Sequence, residues 1–422
     1  MTNIPPVPEI PDPPASRLAG ATRYQWIVLL SAFAGYTFDC MDLVIFNVVQ
    51  GPSMRELLGT SDVAAIQKAA STIIAFKLFA WCIGGALFGI VADRFGRSLT
   101  MMVSILIYAV FTGVSAFAQT WWELAIFQII AGIGIGAEWA AGAALVAETW
   151  PQASRRYAMA LIQSSFAVGF FLATFANQLA GPSSWRLVLA IGFLPALLVI
   201  PVRMMVRDPE HSVKARGKGS VRKMLSHARL RRNVAVGAVV TSAMMIGSWG
   251  WLTLLPNWIR ELALAGGRDP LTSSNATFMP MMASGFAGYF VLAGLSTTLS
   301  RRMLCFLFCL GGMASSLYLS IVVRDIDSLI AFAPVYGFFV MGGFGFFGLY
   351  LPELFPTEVR ATGQAFCYNI GRGITGIGVL IMGGLIATFG SLPAVAAVSS
   401  SVYAAGLIAI WFGPETGGKL PE

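Results

Sequence analysis

The sequence has unusually little charge. Only 11% of its 422 residues are Asp, Glu, Lys or Arg, whereas 56% are hydrophobic. A soluble globular protein has about 25% charged residues, and so few charges cannot cover the exterior of a chain this long. The composition therefore excludes an ordinary soluble enzyme. It predicts that lipid is the solvent for much of the surface.

Histidine and patterned cysteine are also scarce. His211 and His227 both lie in a basic segment between apolar stretches, so no histidine is available as a proton carrier inside a membrane. The five cysteines fall within apolar stretches without metal-ligand spacing, and we expect free thiols. We find no nucleophile–base pair at a membrane face either. These absences argue against a membrane enzyme, and we expect no cofactor.

Long apolar stretches fill most of the chain. A helix needs about 20 apolar residues to cross the hydrocarbon core, which predicts an all-α membrane protein with twelve transmembrane helices. We expect a disordered cytoplasmic tail at 1–23, six helices within 24–205, a basic linker at 206–232, six helices within 233–412 and a second tail at 413–422. The spans are placed at 24–48, 69–92, 99–118, 122–146, 157–180, 185–205, 233–256, 273–297, 303–323, 328–351, 362–388 and 393–412.

The basic residues are distributed unequally between the two sides of these spans. With both termini inside, twenty Lys and Arg residues fall in the tails and inner segments and six in the outer loops. This bias follows the positive-inside rule and predicts a multi-pass protein of the inner or plasma membrane with both termini cytoplasmic. It also explains the net charge of +8 without nucleic acid as a partner.

Several features recur at a constant offset of 205 residues, which indicates two related halves. The segment from Gly89 to Arg97 reappears as GLSTTLSRR from Gly294 to Arg302, and ETWPQASR reappears as ELFPTEVR. The matching charged positions are Glu148 with Glu353, Arg155 with Arg360, and Arg97 with Arg302. A constant offset predicts two pseudo-symmetric six-helix halves around a central site.

The segment GIVADRFGRS, Gly89 to Ser98, resembles the signature between helices two and three of the major facilitator superfamily. The resemblance extends over nearly the whole chain, and it implies that fold and alternating-access transport. Three stretches look most like the sialic acid and aromatic acid proton symporters and related carboxylate carriers. They are FDCMD (38–42), GIGIGAEWAAG (132–142) and PELFPTEVRATGQAFCYNIGR (352–372). One departure is Gln128, because many relatives have arginine at that position.

Charged residues within the spans are functional candidates because a charge in the bilayer is costly unless it is paired or lines a cavity. Asp39 and Asp42 are three residues apart and share a helical face. Two carboxylates that close cannot easily both ionise, so we expect one to hold a coupled proton, as the resemblance also implies. The alternative is a solvated pair at the helix end. Glu138 is either a proton-relay or gating residue or a structural helix-end group.

Arg372, three residues after Asn369, offers a planar fork suited to a carboxylate. It is a candidate anion ligand, or else it pairs with a protein acid. Lys77 has three alternatives: it binds the anion, pairs with Asp39 or reaches the membrane surface. Trp249 and Trp251 are candidates for the cavity wall, although most membrane tryptophans only pack or anchor.

The remaining charged motif residues lie at predicted inner helix ends, where ion pairs can form in one state and break in another. We therefore expect gating rather than substrate contact from Gly89, Asp93, Arg94, Gly96, Arg97, Glu148, Arg155, Glu353 and Arg360.

Together these features predict a transporter that moves a small organic anion together with protons and acts as a monomer in the bilayer. The alternatives are a drug–proton antiporter of the same fold, a sugar or sugar-acid carrier, and a membrane sensor without transport activity. A sensor would need an added signalling domain, for which the 206–232 linker is short.

Overall fold

The computed structural model describes residues 21–136, 138–180, 184–194, 206 and 221–421, and this part of the chain is helical without a β-strand. Residues 1–20 of the predicted tail at 1–23, most of the linker and the end of the sixth span (195–205) lie outside the described residues. The first half contains α1 (Arg23–Leu58), α2 (Val63–Phe95), α3 (Arg97–Val114), α4 (Trp121–Ile135), α5 (Glu138–Thr149), α6 (Gln152–Ala180) and α7 (Trp185–Ile191).

The second half begins after a short helix, α8 (Val221–Ser226). It contains α9 (Ala228–Ala265), α10 (Pro270–Leu295), α11 (Arg301–Ile321), α12 (Ile326–Gly343), α13 (Gly345–Tyr350), α14 (Arg360–Phe389), α15 (Leu392–Ser401) and α16 (Tyr403–Ala409). Short 3₁₀ segments continue several of these helices.

Ten helical segments in the described ranges are long and apolar enough to cross a membrane. The predicted eleventh span coincides with α14, which has 30 residues, and the predicted sixth begins at α7. Several helices begin before the predicted apolar spans, at positions where polar N-caps, which hydropathy ignores, set the first residue. Thr22 caps α1 with Gln25, for example, and Thr120 caps α4 with Glu123.

The two halves meet along two seams, α2 against α14 and α6 against α10. Within the first half, α2 and α4 approach backbone to backbone. A Cβ added at Gly136 would lie 2.1 Å from the amide nitrogen of Gly85, and one at Gly84 would lie 2.1 Å from the carbonyl oxygen of Ile133. This close approach fixes α2, which carries Lys77 and Trp81, against its own half.

We call the end of the bundle that holds Asp93, Glu148 and Arg360 the motif end. The side-chain amide of Gln25, at the start of α1, donates to the carbonyl oxygen of Thr149 at 3.0 Å. At the other end of the chain, Arg360 donates to the carbonyl oxygen of Pro421 at 2.8 Å. Both ends of the described chain therefore lie at the motif end.

Candidate functional site

Arg372 lies near the middle of α14, about 18 Å along the helix from Arg360. Its guanidinium carbon is 3.5 Å from the centre of the Trp81 ring and 4.1 Å from that of Tyr368, and one nitrogen donates to Asn369 Oδ1 at 3.2 Å. Cation–π attraction holds the buried group in place. No carboxylate of the described residues forms an ion pair with it. Its charge is thus positioned without being neutralised by contact.

A narrow cavity lies between the halves beside Arg372. Its water-accessible volume is about 30 Å³, which has room for a few water molecules at most. The wall is mainly aromatic and aliphatic, and it includes the predicted Trp249. The lining residues are Tyr36, Leu78, Trp81, Gln163, Phe166, Met245, Trp249, Leu252, Tyr289, Met341, Phe344, Tyr368, Arg372 and Thr375.

Asp39 is a buried carboxylate of α1. It is 1% exposed, and neither oxygen has a hydrogen-bond partner among the described residues. The charged groups that act on it electrostatically are Glu138, Arg372, Asp42 and Lys77. A carboxylate held in the bilayer without hydrogen bonds is costly and is a functional candidate by default.

By contrast, both carboxylate oxygens of Asp42, one helical turn further on, accept hydrogen bonds. Its Oδ2 accepts a hydrogen bond from Lys77 Nζ at 3.0 Å, and its Oδ1 accepts one from Thr112. Lys77 also donates to the Asp42 carbonyl oxygen at 3.1 Å and to Gln128 Oε1 at 2.8 Å. Gln128 in turn donates to Ser115 Oγ at 3.0 Å. These additional hydrogen bonds offset the desolvation of the buried ion pair.

This network excludes two of the three alternatives for Lys77 in this conformation, and its role as an anion ligand remains a prediction. The side chain is buried, so it does not reach the membrane surface, and its nitrogen contacts Asp42 rather than Asp39. Gln128, which replaces the arginine expected from relatives, is a ligand of this amine. The two aspartates therefore occupy different environments, although they share one helix.

Glu138 and Trp139 begin α5 on the motif side of the cavity. Glu138 is buried and acts electrostatically on Asp39. The Trp139 ring stacks on Tyr368 of the other half with centroids 4.0 Å apart, and its N–H donates to Gln163 Oε1. Gln163 donates in turn to the carbonyl oxygen of Phe344 at 2.9 Å. These contacts join the halves between the cavity and the motif end.

Asp93 joins the halves at the motif end. Its carboxylate accepts hydrogen bonds from the Thr362 amide at 2.8 Å, the Thr362 hydroxyl at 2.7 Å and the Ala361 amide at 3.3 Å. These amides belong to the first turn of α14, where an acidic group is favoured by the helix dipole. Arg97 lies 3.4 Å from the same carboxylate.

Glu148 lies between two arginines, one from each half. Its Oε1 is 3.0 Å from Arg97 and 2.7 Å from Arg360, and all three side chains are buried. Arg97 also donates to the Thr357 carbonyl oxygen at 3.1 Å. We call Asp93, Arg97, Glu148, Arg360 and Thr362 the cross-half network. It holds the halves together at the motif end.

The second half has a related ion pair, between Arg301 and Glu353, whereas the repeat indicates Arg302 as the basic partner. Glu353 accepts hydrogen bonds from Arg301 at 3.1 and 3.0 Å and from the Thr416 hydroxyl. Arg302, which the 205-residue offset matches to Arg97, donates to the Gly413 carbonyl oxygen instead. Because α11 begins at Arg301 as α3 begins at Arg97, the structural equivalent is Arg301.

The other predicted gating residues lie at the same end. Gly96 forms the turn between α2 and α3 with φ 109°, and a Cβ on Gly89 would come within 2.6 Å of a side chain on α14. Arg155 donates to the Trp150 carbonyl oxygen at 3.3 Å, whereas Arg94 is exposed. This geometry is compatible with gating, which remains a prediction.

Trp251 does not line the cavity. Its N–H donates to the Ser316 carbonyl oxygen at 3.0 Å, and its ring packs against Trp258 with centroids 4.7 Å apart. The prediction that it lines the cavity is wrong for this structure. Residues two apart on a helix point about 200° apart, so Trp249 and Trp251 cannot both face the cavity.

Sequence reasoning missed the aromatic residues that hold Arg372. Trp81 is four residues after Lys77, and Tyr368 is four residues before Arg372, so each shares a helix face with a candidate charge. Asn369, which was predicted, lies against α2, where a Cβ on Gly85 would overlap its side chain. The i, i+4 spacing was the available signal for both rings.

A bundle of apolar helices with buried charges at mid-height and ion pairs joining its halves at one end defines a membrane transporter of the secondary-carrier class. The model of the Major Facilitator Superfamily matches residues 32–377, and the chain belongs to this family. It is therefore a multi-pass membrane transporter and not an enzyme.

Several described proteins are similar over most of their length. A putative metabolite transport protein of Haemophilus influenzae is 29% identical over 94% of this chain and 98% of its own. A probable 4-methylmuconolactone transporter of Cupriavidus pinatubonensis is 29% identical, covering 92% and 90%. The sialic acid transporter NanX of Escherichia coli is 28% identical, covering 81% and 83%. The proton:xylose symporter XylE has the same fold, with a TM-score of 0.78 at 19% identity over 94% and 97% of the two chains.

Proposed function

We propose that this protein is a secondary active transporter that moves a small organic carboxylate together with protons by alternating access. The observation that carries the proposal is the combination of two buried charges in one region. Arg372 has no ion-pair partner among the described residues, and Asp39 has no hydrogen-bond partner there. Burying either charge without a partner is costly. Arg372 is therefore suited to bind an anionic ligand, and Asp39 is suited to bind a proton.

The electrostatic interaction between Asp39 and Arg372 suggests how the two are coupled. An ionised Asp39 compensates part of the arginine charge, so an incoming anion gains less from binding. Protonation of Asp39 removes that compensation and leaves Arg372 as the attractive charge for the substrate. Proton and anion then bind with positive coupling, as linkage requires of a symporter.

The cavity wall supports a planar or unsaturated acid as the substrate class. Seven of the lining side chains are aromatic, and Arg372 is the charged member. Such a wall buries a flat apolar body, while the guanidinium fork binds its carboxylate. Relatives named as transporters of cis,cis-muconate, niacin and gallate point the same way. A drug antiporter would instead need an acid as the main ligand for a cation.

Exchange of Asp39 for asparagine tests the coupling. Asp39→Asn resembles the protonated acid in shape but cannot release a proton, so uptake driven by a pH gradient should be abolished. Exchange of labelled substrate at equal pH should survive. The measurement uses reconstituted vesicles containing a pH-sensitive dye. A thermal-shift screen of the purified protein against muconate, nicotinate, N-acetylneuraminate and xylose selects the substrate beforehand.

Asp327→Asn is the matched control, because Asp327 is exposed in a surface ion pair with Arg268 and should not matter for coupling. If Asp39→Asn and Asp42→Asn both accumulate substrate against its gradient with undiminished proton influx, the coupling site lies elsewhere. Glu138 is then the leading candidate. Binding of xylose but no acid in the screen would contradict the carboxylate assignment.

A further inference from the structure

The motif end of the second half carries a basic pocket that is separate from the central cavity. Its water-accessible volume is about 450 Å³. It lies at the beginning of α9 and beside the residues that follow α16. Three of its seven lining residues are arginines, and the full set is Ala228, Arg229, Arg232, Asn233, Arg302, Gly413 and Pro414.

The start of α9 concentrates positive charge where a helix least tolerates it. Arg229, Arg231 and Arg232 lie within the first five residues after the N-cap. The first turn contains no acid, and His227 makes no capping hydrogen bond with its side chain. The amides of a first turn have no intrahelical partners, and the dipole adds positive potential there. A bound anion would relieve both effects.

Contacts within the protein hold two of these arginines in place without using up their donors. Arg232 Nε donates to the Phe412 carbonyl oxygen at 2.9 Å, and Arg302 donates to that of Gly413 at 3.1 and 2.8 Å. A guanidinium has five N–H donors, so several remain. Glu415, which follows Pro414 of the pocket, accepts hydrogen bonds from the first two amides of α11 at 2.9 and 3.2 Å.

Exposed aromatic side chains adjoin the pocket. Trp411 and Phe412 are 47% and 60% exposed, and Trp411 packs against Phe306 with ring centroids 6.0 Å apart. Phe412 directly precedes Gly413 of the pocket. Aromatic rings of this kind are typical of the membrane–water interface, and they offer an apolar surface to lipid chains beside the arginines.

We propose that this pocket binds the phosphate of an anionic glycerophospholipid, with the lipid chains packed along Phe306, Trp411 and Phe412. Inorganic phosphate carries the same charged group, but it has no apolar part that could pack against the aromatic side chains. The charge bias of the sequence also predicts that the motif end faces the cytoplasm, where anionic lipids attract basic residues close to a membrane span.

Native mass spectrometry of the purified full chain tests this site with dioleoylphosphatidylglycerol and dioleoylphosphatidylcholine as probes. The wild type should bind one phosphatidylglycerol in preference to phosphatidylcholine. Arg229→Gln should lower that affinity about fivefold, and Arg229→Lys should restore it. Arg231→Gln is the matched control, because it removes the same charge from the same turn but does not line the pocket, and it should lower the affinity clearly less than Arg229→Gln does.

Competition with millimolar inorganic phosphate distinguishes the two sources of the phosphate group. Phosphatidylglycerol binding that resists phosphate supports the lipid assignment, and complete displacement overturns it in favour of a free-phosphate site. An equal loss in Arg229→Gln and Arg231→Gln, or no preference over phosphatidylcholine, also overturns it. Thermal unfolding of each variant verifies that the comparison is made between folded proteins.

Discussion

At the scale of single residues, the two aspartates of α1 illustrate how neighbours decide the role of a buried charge. Asp42 has a lysine, a hydroxyl and the partners of that lysine around it, and so its charge is fully compensated. Asp39 has no hydrogen bond in the described structure. A compensated pair suits structural support, whereas an uncompensated carboxylate suits a group that changes its protonation state.

This contrast predicts the effect of removing the lysine. Lys77→Met leaves Asp42 as a buried charge without its counter-ion, which costs about 3–5 kcal/mol. We therefore expect a clearly lower unfolding temperature in detergent. The double variant Asp42→Asn/Lys77→Met should recover much of the loss, because no uncompensated charge remains.

Lys68→Met serves as the control for this prediction, since Lys68 is an exposed lysine on the same helix. It should leave the unfolding temperature within experimental error of the wild type. A double variant that is no more stable than Lys77→Met would show that the ion pair does not account for the stability of this region.

At the scale of helices, the carboxylate of Asp93 on α2 joins the halves at the start of α14. Asp93→Asn keeps the side-chain shape but removes a charge that accepts three hydrogen bonds from Ala361 and Thr362. Charge-assisted hydrogen bonds are worth about 1.5–3 kcal/mol each. We expect slower transport, with substrate affinity changed by less than about threefold, because Arg372 lies well away along α14.

Uptake rates in vesicles and equilibrium binding to the purified protein check this prediction together. Thr362→Val removes one donor from the same contact, and a smaller effect in the same direction is expected. A large loss of equilibrium binding in a folded Asp93→Asn protein would contradict a purely conformational role for this residue.

The helices themselves could be predicted well from the sequence, and the fold followed from them. Apolar length indicates a span regardless of its neighbours, and α9 to α12 begin within a few residues of their predicted positions. The register between repeats was less secure. The helix after the repeat motif begins one residue earlier relative to Gly294 than α3 does relative to Gly89, which moves the ion pair from Arg302 to Arg301. A fixed offset cannot detect such a change.

At the scale of the whole molecule, the residues that flank α9 give a test of orientation in the membrane. Ser226 lies just before this helix, at the motif end, and Gly266 lies just after it, at the opposite end. With the five native cysteines replaced, Gly266→Cys should react with an impermeant thiol reagent on intact cells. Ser226→Cys should react only after the membrane is opened, because the charge bias places the motif end inside. Labelling of Ser226→Cys from outside would reverse the orientation.

The arrangement of the site was harder to predict than the list of its residues. The sequence identified Asp39, Asp42, Lys77, Glu138 and Arg372 because charges inside spans stand out. It could not show which of them meet, since Lys77 and Asp42 are 35 residues apart and depend on how α1 and α2 pack. The Trp81 and Tyr368 rings around Arg372 are ordinary membrane residues until the halves are assembled.

The backbone contact of α2 with α4 has a practical consequence for altering the substrate range of this carrier. At Gly84 and Gly136 even a methyl group would meet main-chain atoms, which cannot yield as a flexible side chain can. Mutant libraries that vary Leu78, which lines the cavity, leave this backbone contact unchanged. Libraries that vary Gly84 or Gly136 would push α2 and α4 apart. A designer would therefore diversify cavity side chains of this helix and keep both glycines.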